Sequence, residues 1–292
     1  MALKQKREKA EATIPQQEPQ YFRSATGDRA YNYNVYYMSK TEKILYFLLA
    51  FLVGAVVGFI FYGGIGKDQD GNATWITYAL NTVISVCVGL IAGKLFLPMR
   101  QKQLLDGQKT KLRRQFRDML EALATALGAG QNVTEAFNSV HQDLQNQYEQ
   151  GSFILNELQL INSGLANGIN IEDLLDSFGK RSGVGDIEDF ANVFQVCYRK
   201  GGNIKETIRN TYEIINDKMS INEEIETIVS GTKNELGVMM VMPVVMVGVM
   251  KNISPDFASN FTSAAGLIST TVAAVIFVIA YFVGRKVLDI KV

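Results

Sequence analysis

The sequence predicts an all-α membrane protein with four transmembrane helices and one cytoplasmic helical-bundle domain between the second and third spans. Three observations lead to this fold class. Four apolar stretches carry no charged residue, and lysine and arginine collect on one side of them. The polar middle of the chain repeats a helix–turn–helix pattern and holds no segment typical of a β-strand.

The four apolar stretches are the predicted spans. Three of them hold 23, 23 and 28 uncharged residues, at 44–66, 71–93 and 257–284. A helix of about 20 residues crosses the hydrocarbon core of a bilayer, so each of these is long enough. The remaining stretch, 236–250, holds only 15 residues. We expect this span to continue to Ile253, with Lys251 extending toward the membrane surface.

Lysine and arginine are distributed unevenly between the two sides of these spans. Residues 1–43, 94–117 and 285–292 hold eight, eight and three of them, whereas the two short loops hold one each, Lys67 and Lys251. Because positive residues favour the cytoplasmic side, the pattern predicts a multi-pass protein of the cell (inner or cytoplasmic) membrane. Both termini and residues 94–235 are then cytoplasmic, and the loops 67–75 and 251–256 are external.

The residues inside the spans favour packing over ion transport. Glycines recur four residues apart in the first two spans, at Gly54 and Gly58 and at Gly89 and Gly93. This spacing lets helix backbones approach closely in lipid. No Asp, Glu or His lies within any predicted span, whereas ion and proton pathways usually need such groups. A small transporter or channel, lined by Asn81, Thr82 and Ser85, stays open as an alternative.

We expect five segments along the chain. They are a largely disordered cytoplasmic arm (1–42), a transmembrane hairpin (43–99), a cytoplasmic bundle of repeated helical hairpins (100–235), a second transmembrane hairpin (236–284) and a basic tail (285–292). The arm contains Tyr21, Tyr31, Tyr33, Tyr36 and Tyr37, which we interpret as anchors at the membrane interface or as a docking site for a partner. The basic stretch 94–115 is interpreted as binding anionic lipid headgroups, with an acidic partner as the alternative.

The cytoplasmic segment contains one turn three times. The copies are GQNVTEAF at 130–137, GINIEDLL at 168–175 and GGNIKETI at 201–208. Glycine with positive φ ends one helix, asparagine caps the next, and an acid three residues later completes a capping box. The residues are Gly130, Gly168 and Gly201 or Gly202; Asn132, Asn170 and Asn203; and Glu135, Asp173 and Glu206. Apolar residues at helical spacing flank each turn, which predicts roughly six helices packed as a bundle.

The sequence predicts no catalytic residue, no cofactor and no metal site. It holds no Walker loop and no nucleophile elbow. His141 is the single histidine, which excludes sites that need two. Acids are dense at Glu172, Asp173, Asp186 and Glu188, and solvated first turns of helices explain them better than a metal site does. The zero net charge gives no reason to expect nucleic-acid binding.

The ordered set of motifs resembles a known family. The repeated glycine-x-asparagine-aliphatic turns, and RKGGNIKETI before a long helix that enters a short proline-containing span, resemble the F domain of type II secretion and type IV pilus platform proteins. Two spans before one such domain, two after it and the basic tail GRKVLDIKV resemble the Tad/Flp pilus assembly branch (TadB/TadC-like). By this resemblance Glu157, Gly168, Arg181, Gly201, Gly202 and Asn203 occupy positions usual in the family.

The resemblance implies a function. Such platforms lie beneath a growing pilus or pseudopilus, where a separate cytoplasmic ATPase engages the soluble domain and helps to extract and polymerise pilin subunits. The implied partners are that ATPase, pilins or pseudopilins, a second platform subunit or another copy of the chain, and membrane lipids. The platform itself is not an enzyme. We expect the exposed acids near Glu172, Asp173, Asp186 and Glu188 to face the ATPase. A membrane-tethered scaffold is a further alternative.

Overall fold

The computed structural model describes residues 18–23, 27, 29–65 and 74–288. Over these residues it contains nine helices and two short strands. The strands are β1 (Tyr21–Arg23) and β2 (Arg29–Tyr31), and the helices are α1 (Lys40–Tyr62), α2 (Trp75–Gly128), α3 (Val133–Gln145), α4 (Phe153–Ala166), α5 (Ile171–Ser182), α6 (Gly185–Lys200), α7 (Ile204–Ile253), α8 (Pro255–Thr262) and α9 (Ala264–Leu288). The described residues form two compact units: a helical unit from within 1–37 and 103–216, and a membrane unit from within 38–102 and 217–292.

The membrane unit carries the four apolar helices that the sequence predicts. Each of the segments Lys40–Tyr62, Trp75–Gly128, Ile204–Ile253 and Ala264–Gly284 contains an 18-residue window apolar enough to cross a bilayer. At most 17% of any such window is buried inside the protein. A surface this apolar is stable only when lipid or another protein covers it. The last helix, α9, continues to Leu288 into the expected basic tail, of which residues 289–292 lie outside the described part.

The small residues of α1 and α2 lie at a close helix contact. A Cβ atom at Gly54 would come within 2.7 Å of the Ala92 Cβ, and one at Gly89 within 2.8 Å of the Phe51 ring. At Gly93 it would lie 2.6 Å from the Phe47 ring. Real side chains do not tolerate such distances, so glycine at these positions is what lets the two helices pack, as the spacing predicts.

The helix that holds the third span continues to Ile253, as expected. The Lys251 ammonium donates to the carbonyl oxygens of Ile60 and Gly63, each at 3.0 Å, and of Phe61 at 3.4 Å. It also lies 5.3 Å from the centre of the Phe261 ring. The last carbonyls of a helix have no partner within the helix, so Lys251 satisfies carbonyls at the end of α1.

The helical unit consists of the end of α2, the helices α3 to α6 and the start of α7. Helix α5 packs against α6, and α3 against α4. Its core contains an aromatic cluster in which Phe116 lies 5.4 Å from Phe190 and 6.1 Å from Phe178, and Phe190 lies 5.7 Å from Phe194, between ring centres. The fully buried aliphatic side chains around it are Leu112, Met119, Leu120, Leu123, Ile154 and Leu158.

The structure corrects the sequence prediction for the described part of the arm. We expected residues 1–42 to be largely disordered, but β1 and β2 form an antiparallel pair in which Tyr21 lies opposite Tyr31. Asn32 and Tyr33 are fully buried, so Tyr33 is not a membrane anchor. The partners that bury Tyr33 lie more than 100 residues away in sequence, which is why local composition did not reveal the fold. Residues 1–17 lie outside the described part.

Candidate functional site: the capping turns and the buried ion pair

The three repeated turns have a common backbone. Gly130, Gly168 and Gly201 have φ of +91°, +78° and +70°, the left-handed region that glycine adopts at least cost. A Cβ at any of the three would meet no atom within 4 Å. Backbone conformation, rather than lack of space, therefore favours glycine there. Gly202 differs, because a Cβ on it would lie 3.3 Å from atoms of Cys197.

Two of the three asparagines cap the next helix as the pattern predicts. The Asn132 side chain accepts a hydrogen bond from the Glu135 amide at 2.9 Å, and the Glu135 carboxylate accepts one from the Asn132 amide at 3.3 Å. The Asn203 side chain accepts from the Glu206 amide at 3.2 Å.

Asn170 does not cap its helix through its side chain. Its own carbonyl accepts the Asp173 amide at 3.1 Å. Its side-chain amide instead donates to the Asp173 carboxylate at 3.4 Å. The amide that the side chain was expected to bind is already satisfied, so the predicted cap is wrong at this position.

Glu157 and Arg181, named from the resemblance alone, form a buried ion pair. Glu157 lies on α4 and Arg181 near the end of α5, and the two guanidinium nitrogens donate to the two carboxylate oxygens at 2.9 and 2.7 Å. Their side chains are only 1% and 10% exposed. A bidentate contact of this kind is the strongest geometry available to an arginine and a carboxylate.

Tyr33 and the chain around it cover the ion pair. The Tyr33 hydroxyl donates to Glu157 Oε1 at 3.0 Å, and Arg181 also donates to the Tyr31 carbonyl at 2.9 Å. Burial, and then the neighbouring Glu157 carboxylate, raise the pKa of the Tyr33 hydroxyl well above its ordinary value. Burial acts to lower the pKa of Arg181, but hydrogen bonding and attraction to Glu157 prevail and raise it.

This arrangement binds protein groups to one another. Both oxygens of Glu157 accept bonds from Arg181 or Tyr33, and the guanidinium also bonds to the Ser177 hydroxyl at 3.3 Å. A general acid or base must reach a substrate, whereas these groups are buried and bonded to the protein itself. The cluster is therefore suited to holding α4, α5 and the arm together. The family resemblance named two of its three members. The sequence analysis gave Tyr33 a different role, as a membrane anchor or a docking site for a partner, and its burial in the folded chain corrects this.

The predicted acidic surface is divided. Glu172 is buried and lies 3.5 Å from Arg199, and Asp186 is half-buried and lies 2.9 Å from Arg113. The expectation that these two face a partner is corrected, because arginines of neighbouring helices already neutralise them. Asp173 and Glu188 are exposed. Asp173 also lies 4.0 Å from Arg199, but its side chain is 55% exposed, so Asp173 and Glu188 are the members of the set that a partner can reach.

Other polar groups of interest have local partners. Among the residues that the structure describes, no group of three or more His, Cys, Asp and Glu side chains could hold a metal ion. In the second span, Asn81 accepts from the Gly64 amide at 3.1 Å and Thr82 donates to the Tyr78 carbonyl at 2.8 Å. Two of the three polar residues that the alternative of an ion pathway names therefore bond to neighbouring backbone groups.

Similarity to a known family covers the helical unit and the helix that follows it. Residues 119–250, slightly less than half of the chain, match the family model of type II secretion system (T2SS), protein F. No curated protein and no solved structure matches the chain. The matched segment contains all three repeated turns, Glu157 and Arg181, and extends along α7 into the third apolar helix. The chain thus carries a segment similar to protein F and, over its described residues, four apolar helices long enough to span a membrane, the third of which lies partly in that segment.

Proposed function

We propose, on the basis of the protein F domain at residues 119–250, that the chain is a platform protein of a type II secretion or type IV pilus assembly machine, of the Tad/Flp type. In this role it lies in the cell membrane with the helical unit and both termini in the cytoplasm. It couples a cytoplasmic secretion ATPase to the extraction and polymerisation of pilin subunits, and it works as a homo-oligomer or with a second platform subunit.

The family match is the observation that carries the proposal, and the architecture supports it. Members of the family are membrane platform proteins rather than known enzymes. Two apolar helices precede the matched segment, the third lies at its end and the fourth follows it, and this arrangement suggests the Tad/Flp branch. The positive-inside pattern supports the proposed orientation.

We propose that the ATPase docks against the exposed carboxylates Asp173 and Glu188. Asp173 lies in the first turn of α5 and Glu188 in the first turn of α6. These two helices form an antiparallel hairpin: Asp173 lies beside Arg199, near the end of α6, and Glu188 lies beside Gly179, near the end of α5. The two acids therefore lie toward opposite ends of the hairpin, and the proposed docking surface extends along it. Surface charges of this kind govern the rate and specificity of association more than they govern stability.

The decisive experiment is deletion with complementation in the native cell. We expect loss of the pilus or pseudopilus, and its return with the wild-type chain but not with an Asp173→Lys/Glu188→Lys chain. A Glu149→Lys chain is the matched control, because Glu149 is an exposed acid of the same unit and should complement. Normal assembly in the deletion strain would refute the proposed function, whereas complementation by the double variant would refute only the docking surface.

Orientation can be tested with the native cysteines. Cys197 lies on α6 in the helical unit and is partly exposed. In a Cys87→Ser background, a membrane-impermeant maleimide added to intact cells should leave Cys197 unlabelled until the membrane is opened. A cysteine placed in the predicted external loop 251–256 should label at once. Labelling of Cys197 in intact cells would place the helical unit outside.

A further inference from the structure

We propose that residues 29–36, here called the clasp, are an intramolecular ligand of the helices of the helical unit and bind within their own chain. The clasp binds a surface made by α2, α4 and α5. The residues of this surface are Gln108, Lys109, Phe153, Glu157, Phe178 and Arg181. The inference goes beyond the proposed function, because it concerns how the chain binds itself and holds whichever machine the protein serves.

The backbone of the clasp is bonded to the surface on both sides of Tyr33. The Tyr33 amide donates to the Arg181 carbonyl at 2.9 Å, and Gln108 donates to the Tyr33 carbonyl at 3.3 Å. The Arg181 guanidinium bonds to the Tyr31 carbonyl at 2.9 Å. A segment whose main chain is bonded in this way, through the strand end at Tyr31 and the turn at Tyr33, is held as a bound peptide is held.

The Tyr33 side chain supplies specificity. Its ring is fully buried, with centres 5.3 Å from Phe153 and 6.5 Å from Phe178. Its hydroxyl reaches Glu157 at 3.0 Å and the Phe153 carbonyl at 3.3 Å. The pocket thus accepts an aromatic ring and places a charged acceptor at its end, which selects tyrosine over phenylalanine.

Asn34 completes the contact at the end of α5. Its side-chain nitrogen donates to the Lys180 carbonyl at 3.3 Å, and its side-chain oxygen accepts from the Lys109 ammonium at 3.1 Å. Gly183, which ends α5 with φ of +60°, lies against the Asn34 side chain. A Cβ at position 183 would be 1.8 Å from the Asn34 oxygen. The surface therefore fits this side chain only with glycine at position 183.

The short connection to α1 makes binding within one chain the expected arrangement. Only residues 35–39 separate Asn34 from Lys40, the first residue of α1. Five residues reach at most about 18 Å when fully extended. This short covalent link keeps the clasp at a high effective concentration near its own chain, which favours binding there over binding to another copy.

The first test is hydrogen exchange on the full chain in detergent, comparing Tyr33→Phe with Tyr37→Phe. Tyr37 is the matched control because its hydroxyl donates a hydrogen bond to another residue of the arm, the Glu18 carbonyl, at 2.7 Å. We expect Tyr33→Phe to reduce the protection of residues 31–34 about tenfold to a hundredfold, from loss of a bond to a charged acceptor. We expect Tyr37→Phe to leave it unchanged. Equal effects of the two variants, or no protection in the wild type, would overturn the proposal.

The second test is a zero-length carbodiimide cross-link in Asn34→Asp. The Lys109 ammonium lies 3.1 Å from the Asn34 side-chain oxygen, so the carboxylate that this substitution introduces can form an amide with Lys109, the carbodiimide taking up the water. We expect a product of monomer mass that joins positions 34 and 109, and Asn34→Asp/Lys109→Met should lack it. No such cross-link, or one found only in dimers, would refute binding within one chain; the dimer outcome would assign the surface to the arm of a second copy.

Discussion

Removing Arg181 while leaving Glu157 in place is the sharpest test of the buried ion pair. In Arg181→Met the Glu157 carboxylate loses both guanidinium bonds, at 2.9 and 2.7 Å, and the Tyr31 carbonyl loses a donor at 2.9 Å. An isolated buried charge of this kind costs about 3–5 kcal/mol. Because whole domains are stable by about 5–15 kcal/mol, we expect the helical unit to lose much of its stability.

The measurement is pulse proteolysis of the detergent-solubilised full chain across a urea series, scored on cleavage within residues 112–216. Lys180→Met is the matched control. Lys180 pairs with Asp176 at the same 2.7 Å, but its side chain is 67% exposed, and solvent screening should leave no resolvable shift.

A double variant, Glu157→Leu/Arg181→Met, separates the charge from the contact. It removes both charges, so it should be clearly more stable than the sum of the two single variants predicts. The reasoning is wrong if Arg181→Met unfolds at the same urea concentration as Lys180→Met, or if the two single effects add in the double variant.

Three further predictions test the cap, the membrane lysine and the tyrosine. Asn203→Ala should cost the helical unit about 1 kcal/mol of stability, and Asn170→Ala clearly less, because of these two side chains only that of Asn203 accepts a helix amide. The urea midpoints of the two variants test this. Lys251→Met should lower the melting temperature in detergent, because it leaves three carbonyls at the end of α1 without this donor, a loss of about 1–3 kcal/mol. Lys233→Met, at an exposed lysine, should not lower it; equal melting curves would contradict the prediction. The raised pKa of Tyr33 predicts stability that is complete below the ordinary tyrosine pKa of about 10 and is lost above it; Tyr33→Phe should lack this part of the alkaline loss, and identical pH profiles would refute the assignment.

Features that depend on neighbours in sequence were predictable. The four apolar helices follow from the length of uncharged stretches, because the bilayer imposes a length that any sequence must meet. The positive φ of Gly130, Gly168 and Gly201 follows from the turn pattern, because a helix end and a cap are completed within a few residues. The resemblance to the protein F domain rested on these same turns, which lie inside the matched segment.

Features that depend on distant partners were not predictable. Glu172 belongs to a dense acidic run, yet the packing of α5 against α6 buries it beside Arg199. A count of charges does not reveal this pairing.

Asn170 is a local exception. It has the same pattern as Asn132 and Asn203, but its carbonyl rather than its side chain accepts the Asp173 amide.

The arm shows most clearly the difference between features set by sequence neighbours and features set by distant partners. Its tyrosines and asparagines suit an interface, a partner or a disordered tail equally well, because each residue type is amphipathic. Which tyrosine is buried depends on the ion pair between Glu157 and Arg181, which exists only after α4 and α5 have packed. Local spacing determined the helices, their ends and the membrane spans. The buried polar contacts required the folded chain, because charge and hydrogen-bond partners more than 100 residues apart meet only there.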